Sequence, residues 1–300
     1  MLGVFLVIGA CILWALDTLI RYPLVYSGIN AFSIVFIEHA ILSTLFLYAV
    51  IKLLKKIFKE KPVHIVYFLI IGGVGSALST LAFTQAFKYL NPSLVILLQK
   101  FQPVIAIILA RLILKEKIEK QFLFWAFTCL VGALTISYDD LQSVYTSYIV
   151  EGNDLFAPGM LQGYGLVAFS VIGWGSSTVF GKKLGQLGYK NSEIMGGRYF
   201  LGLMTLLTFL PIYTNPFSHE INIYVQVVAM ALISGLFAMF LYYKGLRLLS
   251  ARACSLTEMF FPFMAVLVNW YFLNATLSIT QILGGLILLI GSFVIQLKHY

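Results

Sequence analysis

Apolar runs of about 20 residues recur from one end of this sequence to the other, each long enough to cross a bilayer as a helix. Ten such runs are readable, at roughly 3–21, 31–54, 64–88, 92–114, 120–138, 160–183, 192–213, 222–247, 252–273 and 279–297. Composition agrees: 60% of the 300 residues are hydrophobic and 11% charged, too little polar surface to coat a water-soluble core. The expected class is an all-α integral membrane protein. No charged segment precedes the first run, so it is expected to remain as a span rather than be removed as a signal peptide. Cys11, Cys129 and Cys254 all lie within apolar runs, without zinc-ligand or disulfide spacing, and read as small packing residues.

The basic residues set the expected orientation. With the N-terminus in the cytoplasm, 16 of the 20 lysines and arginines fall on cytoplasmic connections or span ends, in groups at 52–61, 111–120, 182–190 and 244–252, with Lys298. Only Arg21 and Lys88 fall outside, while Lys100 and Arg198 sit inside spans. The long connection 139–159, with Asp139, Asp140, Glu151 and Asp154, is then external. Both termini are expected in the cytoplasm and the protein in the inner or plasma membrane. Topology and anionic inner-leaflet lipid account for the net charge of +8, so no nucleic-acid partner is expected.

The two halves of the chain repeat. Residues 14–18, WALDT, match 174–178, WGSST; Ile34 matches Ile194 and Glu38 matches Arg198, all 160 residues apart. Residues 86–93, AFKYLNPS, match 245–252, GLRLLSAR, and Pro103 matches Pro262 and Gly132 matches Gly291, all 159 apart. An odd number of spans per half makes the second half enter the membrane inverted. Such repeats typify secondary transporters that alternate access around a midplane site. The expected organisation is a first five-helix repeat at 1–138, an external loop at 139–159 and a second repeat at 160–300.

A tryptophan in the first span of each half, and the stretch AFKYLNPSLVILLQKFQPVIAIILARLILKEKI from residue 86, resemble the drug/metabolite transporter superfamily, in particular its EamA-type domain. The matching features are Ala86–Phe87–Lys88 at the end of span 3, Pro103 in span 4, and Leu114–Lys115–Glu116 at the end of span 4. The second half keeps Pro262 but reads Leu273–Asn274–Ala275, so the family's glutamate is missing there. The resemblance covers nearly the whole chain. It implies a carrier of small metabolites, often amino acids, with a central cavity between the halves.

Charges inside spans carry the functional signal, since a lone charge at the bilayer centre costs about 2.5–3.5 kcal/mol. Asp17, Glu38, Lys100, Arg198 and Glu258 qualify. Lys100 lies about 12 Å into its span at 1.5 Å per residue, too deep for its stem to reach either surface. Glu258, Pro262, Ala265 and Asn269 share one helical face, and Gln99, Pro103, Ala106 and Ala110 the matching one. Lys100 and Glu258 are therefore expected to enter the cavity from symmetry-related helices, against a structural ion pair as the plain alternative. Glu38 and Arg198 divide between substrate contact and structural pairing, and Asp17 with Arg21 reads as an i, i+4 ion pair. Trp14 and Trp174 are candidate cavity walls, with Tyr242 a further aromatic candidate.

The expected function is secondary active transport of a small zwitterion such as an amino acid, with Glu258 or Glu38 as candidate proton carriers. A small organic cation, bound by Glu258, Glu38 and aromatic walls, is the alternative substrate. A membrane-embedded enzyme would need a nucleophile–base pair or metal cluster that the sequence lacks; His39, His64, His219 and His299 have no ligand-like spacing. No enzymatic activity, metal or cofactor is expected. Partners reduce to the substrate and membrane lipid, with monomer and homodimer both open.

Overall fold

The computed structural model describes residues 1–212 and 219–298. The last residue of the seventh apolar run, Tyr213, and His299 lie outside the described residues. Those described are helical or irregular, with no strand. The first half runs α1 (Leu2–Tyr26), α2 (Ala31–Leu45), α3 (Leu47–Ile57), α4 (Val63–Leu69), a π-helical segment Ile70–Leu78, α5 (Ser79–Ala86), α6 (Pro92–Gln99), α7 (Gln102–Ile113) and α8 (Lys120–Ile136). After α9 (Tyr138–Tyr145), the second half runs α10 (Met160–Gln186), α11 (Asn191–Phe209), α12 (Ile221–Met230), a π-helical segment Ala231–Ala238, α13 (Met239–Leu248), α14 (Ala251–Glu258), α15 (Phe260–Leu273) and α16 (Ile279–Leu297).

Six helical stretches are long and apolar enough to cross a membrane, or eight if the bent pairs α2–α3 and α8–α9 each count once. Helix α10, with 27 residues, and α11, with 19, have the length but carry more glycine and polar side chains. Outward faces display Phe5, Leu112, Phe124, Phe127 and Tyr271, a surface suited to lipid.

The connection 139–159 is not the plain loop expected. It begins with α9 and a π-helical turn, Thr146–Val150, bent 69° from α8. Asp139 and Asp140 lie in the first turn of α9, where the helix dipole favours acids. Val144 and Tyr148 pack on the apolar cluster around Leu90, Leu94 and Val95.

The halves interlock. Helix α1 packs against α13, α15 and the segment Ala231–Ala238, whereas α10 packs against Ile70–Leu78, α5 and α7. Each half thus lends its first helix to the other. Glycines let these helices approach: a Cβ on Gly75 would stand 2.6 Å from the Ser177 Cβ. The two π-helical segments lie at repeat-equivalent positions, and so do the breaks at Lys100–Phe101 and Met259.

Helices α8 and α16 pack together through Gly132 and Gly284, where a Cβ on Gly284 would lie 2.6 Å from the Gly132 carbonyl oxygen. Gly284→Ala is expected to force these backbones apart and lower stability by about 1–3 kcal/mol. Thermal unfolding of the purified variant checks this; an unchanged midpoint would show that the contact yields freely.

Candidate functional site: a polar strip between the halves

Two polar knots share neighbouring residues of α10 and α13. The first centres on Glu258, the last residue of α14. Its carboxylate accepts from Gln102 Nε2 at 3.0 Å, Tyr242 Oη at 2.9 Å and Thr178 Oγ1 at 3.2 Å. The Tyr242 and Thr178 hydroxyl oxygens also lie 2.8 Å apart, so their two protons are shared among these three contacts. Trp14 on α1 lies on Tyr242, with ring centroids 5.6 Å apart. One turn earlier, Cys11 Sγ donates to the Glu258 carbonyl at 3.8 Å, tying α1 to the break between α14 and α15. No lysine or arginine among the described residues lies within ion-pair distance of Glu258.

The second knot centres on Arg198 of α11. Its Nη1 donates to Ser177 Oγ at 2.7 Å and Tyr243 Oη at 3.5 Å, and its Nε to Ser76 Oγ at 3.2 Å. Ser76 Oγ is 3.0 Å from His39 Nε2, and His39 Nδ1 is 2.8 Å from the Val35 carbonyl. A carbonyl only accepts, so Nδ1 donates; Nε2 of the neutral ring then accepts from Ser76. Arg198 also has no carboxylate within ion-pair distance among the described residues. Tyr199, the repeat counterpart of His39, donates to the Gly235 carbonyl at 2.5 Å. Each π-helical segment thus serves a polar contact, since widening the helix frees groups that an α-helix would occupy.

The strip therefore presents an acid, a guanidinium, an amide and several hydroxyls, with Trp14 as an apolar wall. A recess of about 300 Å³ opens between α10, α11 and α13, and Tyr243 is among its lining residues. Such a set can orient a small molecule with both donors and acceptors on its rim.

A third cluster lies apart. Arg21 donates Nε to Asp17 at 2.6 Å, and to Glu38 through Nη2 at 2.7 Å and Nη1 at 3.1 Å. Ser234 donates to Asp17 at 2.8 Å across the halves. The expected Asp17–Arg21 pair is present, and Glu38 is drawn into it.

Of the residues singled out from sequence, Glu258, Tyr242, Trp14 and Arg198 gather at the strip. Gln99 and Lys100 do not. Lys100 is buried, 6% exposed, at the end of α6, and its ammonium has no hydrogen-bond or ion-pair partner among the described residues. Among the described residues no ion pair joins Lys100 to Glu258, the plain structural alternative, and both helices break beside those residues. Lys100 and Met259 close tight turns onto the Leu97 and Leu256 carbonyls, which resets the helical phase. Gln102, after the break, donates to Glu258. Trp174 packs on Phe83, ring centroids 5.0 Å apart, in the neighbourhood of Leu90 and Val95. Sequence reasoning missed Gln102, Ser177, Thr178, Ser76 and His39. A usable signal existed for two of them, since Ser177 and Thr178 close the WGSST motif.

Residues 1–138 and 161–297 each match the EamA-like transporter family. The chain belongs to that family. It is 31% identical over 309 residues to the riboflavin transporter ImpX of Fusobacterium nucleatum subsp. nucleatum, covering 96% of this chain and 95% of that protein. An uncharacterized transporter of Archaeoglobus fulgidus is 23% identical over 287 residues, 95% of each chain. A solved crystal structure superposes with a TM-score of 0.74 at 16% identity, over 99% of this chain and 96% of that one, a likeness of fold. This EamA-like chain is thus a multi-pass membrane transporter of a small molecule and not an enzyme.

Proposed function

We propose that this transporter carries a planar, polar heteroaromatic metabolite of the riboflavin type, by alternating access between two inverted five-helix repeats. The observation that carries the substrate class is the strip itself, an acceptor carboxylate and a donor guanidinium beside an aromatic wall. A flavin ring edge offers carbonyl acceptors and an N–H donor, which Arg198, Gln102 and Glu258 would complement. The ring would stack on Trp14 and Tyr242, and the ribityl hydroxyls would meet Ser177, Thr178 and Tyr243. The 31% identity to a protein named as a riboflavin transporter supports the same class.

In this reading the eight apolar stretches and bent pairs, together with α10 and α11, make ten spans. The order of elements, repeated in both halves, supports the inverted arrangement. The bias of 16 of 20 basic residues to one side supports cytoplasmic termini in a plasma or inner membrane. Glu258, without a cationic partner among the described residues, is the candidate proton carrier; Glu38, paired with Arg21, is the weaker one.

A zwitterion is the second reading. One observation favours it: Glu258 and Arg198 bond adjacent residues of α10 and α13, Thr178 and Tyr242 against Ser177 and Tyr243, without pairing. An ammonium would go to Glu258 and a carboxylate to Arg198 rather than to Lys100.

Thermal shift of the purified protein separates the readings, because a ligand of the folded state raises its apparent stability. Riboflavin is expected to raise the melting midpoint, and Trp14→Ala to weaken its binding about tenfold. A shift with amino acids and none with riboflavin would select the zwitterion. A shift only with quaternary amines would reject both.

A further inference from the structure

Among the described residues, two that are not glycine have left-handed backbones: Lys115, with φ 56°, and Asn274, with φ 52°. They are repeat-equivalent, each ending the fourth helical region of its half. Both start the same turn: the Glu116 amide donates to the Ala110 carbonyl at 3.2 Å, and the Ala275 amide to the Asn269 carbonyl at 3.3 Å. Beyond that shared turn the two halves part. The Glu116 carboxylate reaches across to the other half, accepting from the Ala251 amide at 2.8 Å and the Arg252 amide at 3.2 Å, the first turn of α14. It also lies 3.8 Å from Arg252 Nε.

Arg252 depends on that carboxylate. Its guanidinium rests on the Phe122 ring at 4.6 Å, and its Nε and Nη1 are buried without a hydrogen-bond partner. A carboxylate at the α14 N-terminus is favoured by the unpaired amides and the helix dipole together. At the other end of the molecule neither side of this contact exists. Ala275 replaces the glutamate, and Pro92, equivalent to Ala251, has no amide hydrogen to give. Ser93, equivalent to Arg252, has its amide bonded to Asn91 at 2.9 Å and its hydroxyl to Asp140 at 2.8 Å. The corner at Ala275 is an open recess of about 390 Å³ lined by Trp270, Tyr271, Asn274 and Ala275.

We propose that Glu116 is a positioning residue for transport, a one-sided latch. It holds the end of α7 against the start of α14 while the mouth at that end is shut, and releases Ala251 and Arg252 when it opens. The left-handed Lys115, in a backbone conformation costly for a side chain with a Cβ, sets the carboxylate at the height of the α14 amides. The two mouths then differ in closing energy, so the ligand-free carrier favours the state shut at the Glu116 end. The latch rests on the alternating-access reading.

The test is labelling of a single cysteine, Ser177→Cys, in a background with Cys11, Cys129 and Cys254 changed to alanine. A membrane-impermeant maleimide is applied from each side of sealed vesicles. Glu116→Gln is expected to speed labelling from the Glu116 end about tenfold and to slow it from the opposite end. Glu116→Asp, which keeps the charge on a shorter stem, should fall between. Opposite changes at the two ends support the latch. Unchanged rates, or equal acceleration from both ends, would overturn it, the latter marking local loosening. The labelling needs no substrate, so it stands if riboflavin proves not to be carried. Labelling from one end only in every variant would overturn alternating access and the latch together.

Discussion

Under the proposed proton coupling, Glu258→Gln is expected to cut net uptake by at least about a hundredfold, close to 2.7 kcal/mol, while leaving the folded protein at wild-type amounts. The fold should tolerate the change because its neighbours can adapt. The glutamine oxygen can still accept from Thr178 and Tyr242, and Gln102 can turn its amide to present oxygen to the new N–H₂. What the variant cannot do is bind and release a proton. Wild-type uptake should therefore rise as the outer pH falls and collapse when the proton gradient is dissipated. The variant should respond to neither. Exchange of labelled for unlabelled substrate, which needs no net proton movement, separates two roles. Exchange retained in the variant assigns Glu258 to coupling. Exchange lost along with uptake assigns it to substrate contact. Proton-driven uptake at the wild-type rate would remove Glu258 from the mechanism.

Arg21→Met should have the largest effect on stability. The guanidinium neutralises two carboxylates at once, and Asp17 and Glu38 are 7% and 10% exposed. Removing the cation leaves two like charges facing each other in a dry setting, where breaking a buried pair costs about 3–5 kcal/mol. The melting midpoint in detergent should fall sharply. Adding Asp17→Asn and Glu38→Gln removes the uncompensated charge and should restore most of the loss. A single variant as stable as wild type would mean that water reaches the cluster. A triple variant no better than the single would show that Arg21 acts through packing alone.

The extent to which the sequence foretold this arrangement is explained by its physics. Apolar periodicity gave helix positions to within a few residues: the stretch expected at 252–273 is Ala251–Leu273, and that expected at 279–297 is Ile279–Leu297. Buried charge marked Glu258 and Arg198, because such groups are costly in lipid wherever they point. The direction of each side chain was harder to read. The stripe Glu258, Pro262, Ala265 and Asn269 presumes one unbroken helix, and the backbone breaks at Met259. The proline was visible, but not the rotation that it permits, so Gln102 could not be told from Gln99. Arg21 was assigned to Asp17 from an i, i+4 spacing; its bond to Glu38 spans two helices, and a local rule cannot reach it. Helix α9 was hidden because its polar residues mask a short apolar face.

The exchange of first helices between the halves has a consequence for synthesis. Helix α1 is finished at Tyr26, yet the helix α13 that it packs against ends at Leu248, more than two hundred residues later. At roughly 5–20 residues per second, α1 waits on the order of tens of seconds in the bilayer before its partner emerges. During that interval Asp17 lacks Ser234, and Cys11 and Trp14 lack their neighbours on α14 and α13. A nascent chain halted at its midpoint would therefore hold an incomplete unit rather than a finished domain. Biogenesis of this carrier is tied to translation of its full length, and lipid or a membrane chaperone must shelter the first helix until the second half arrives.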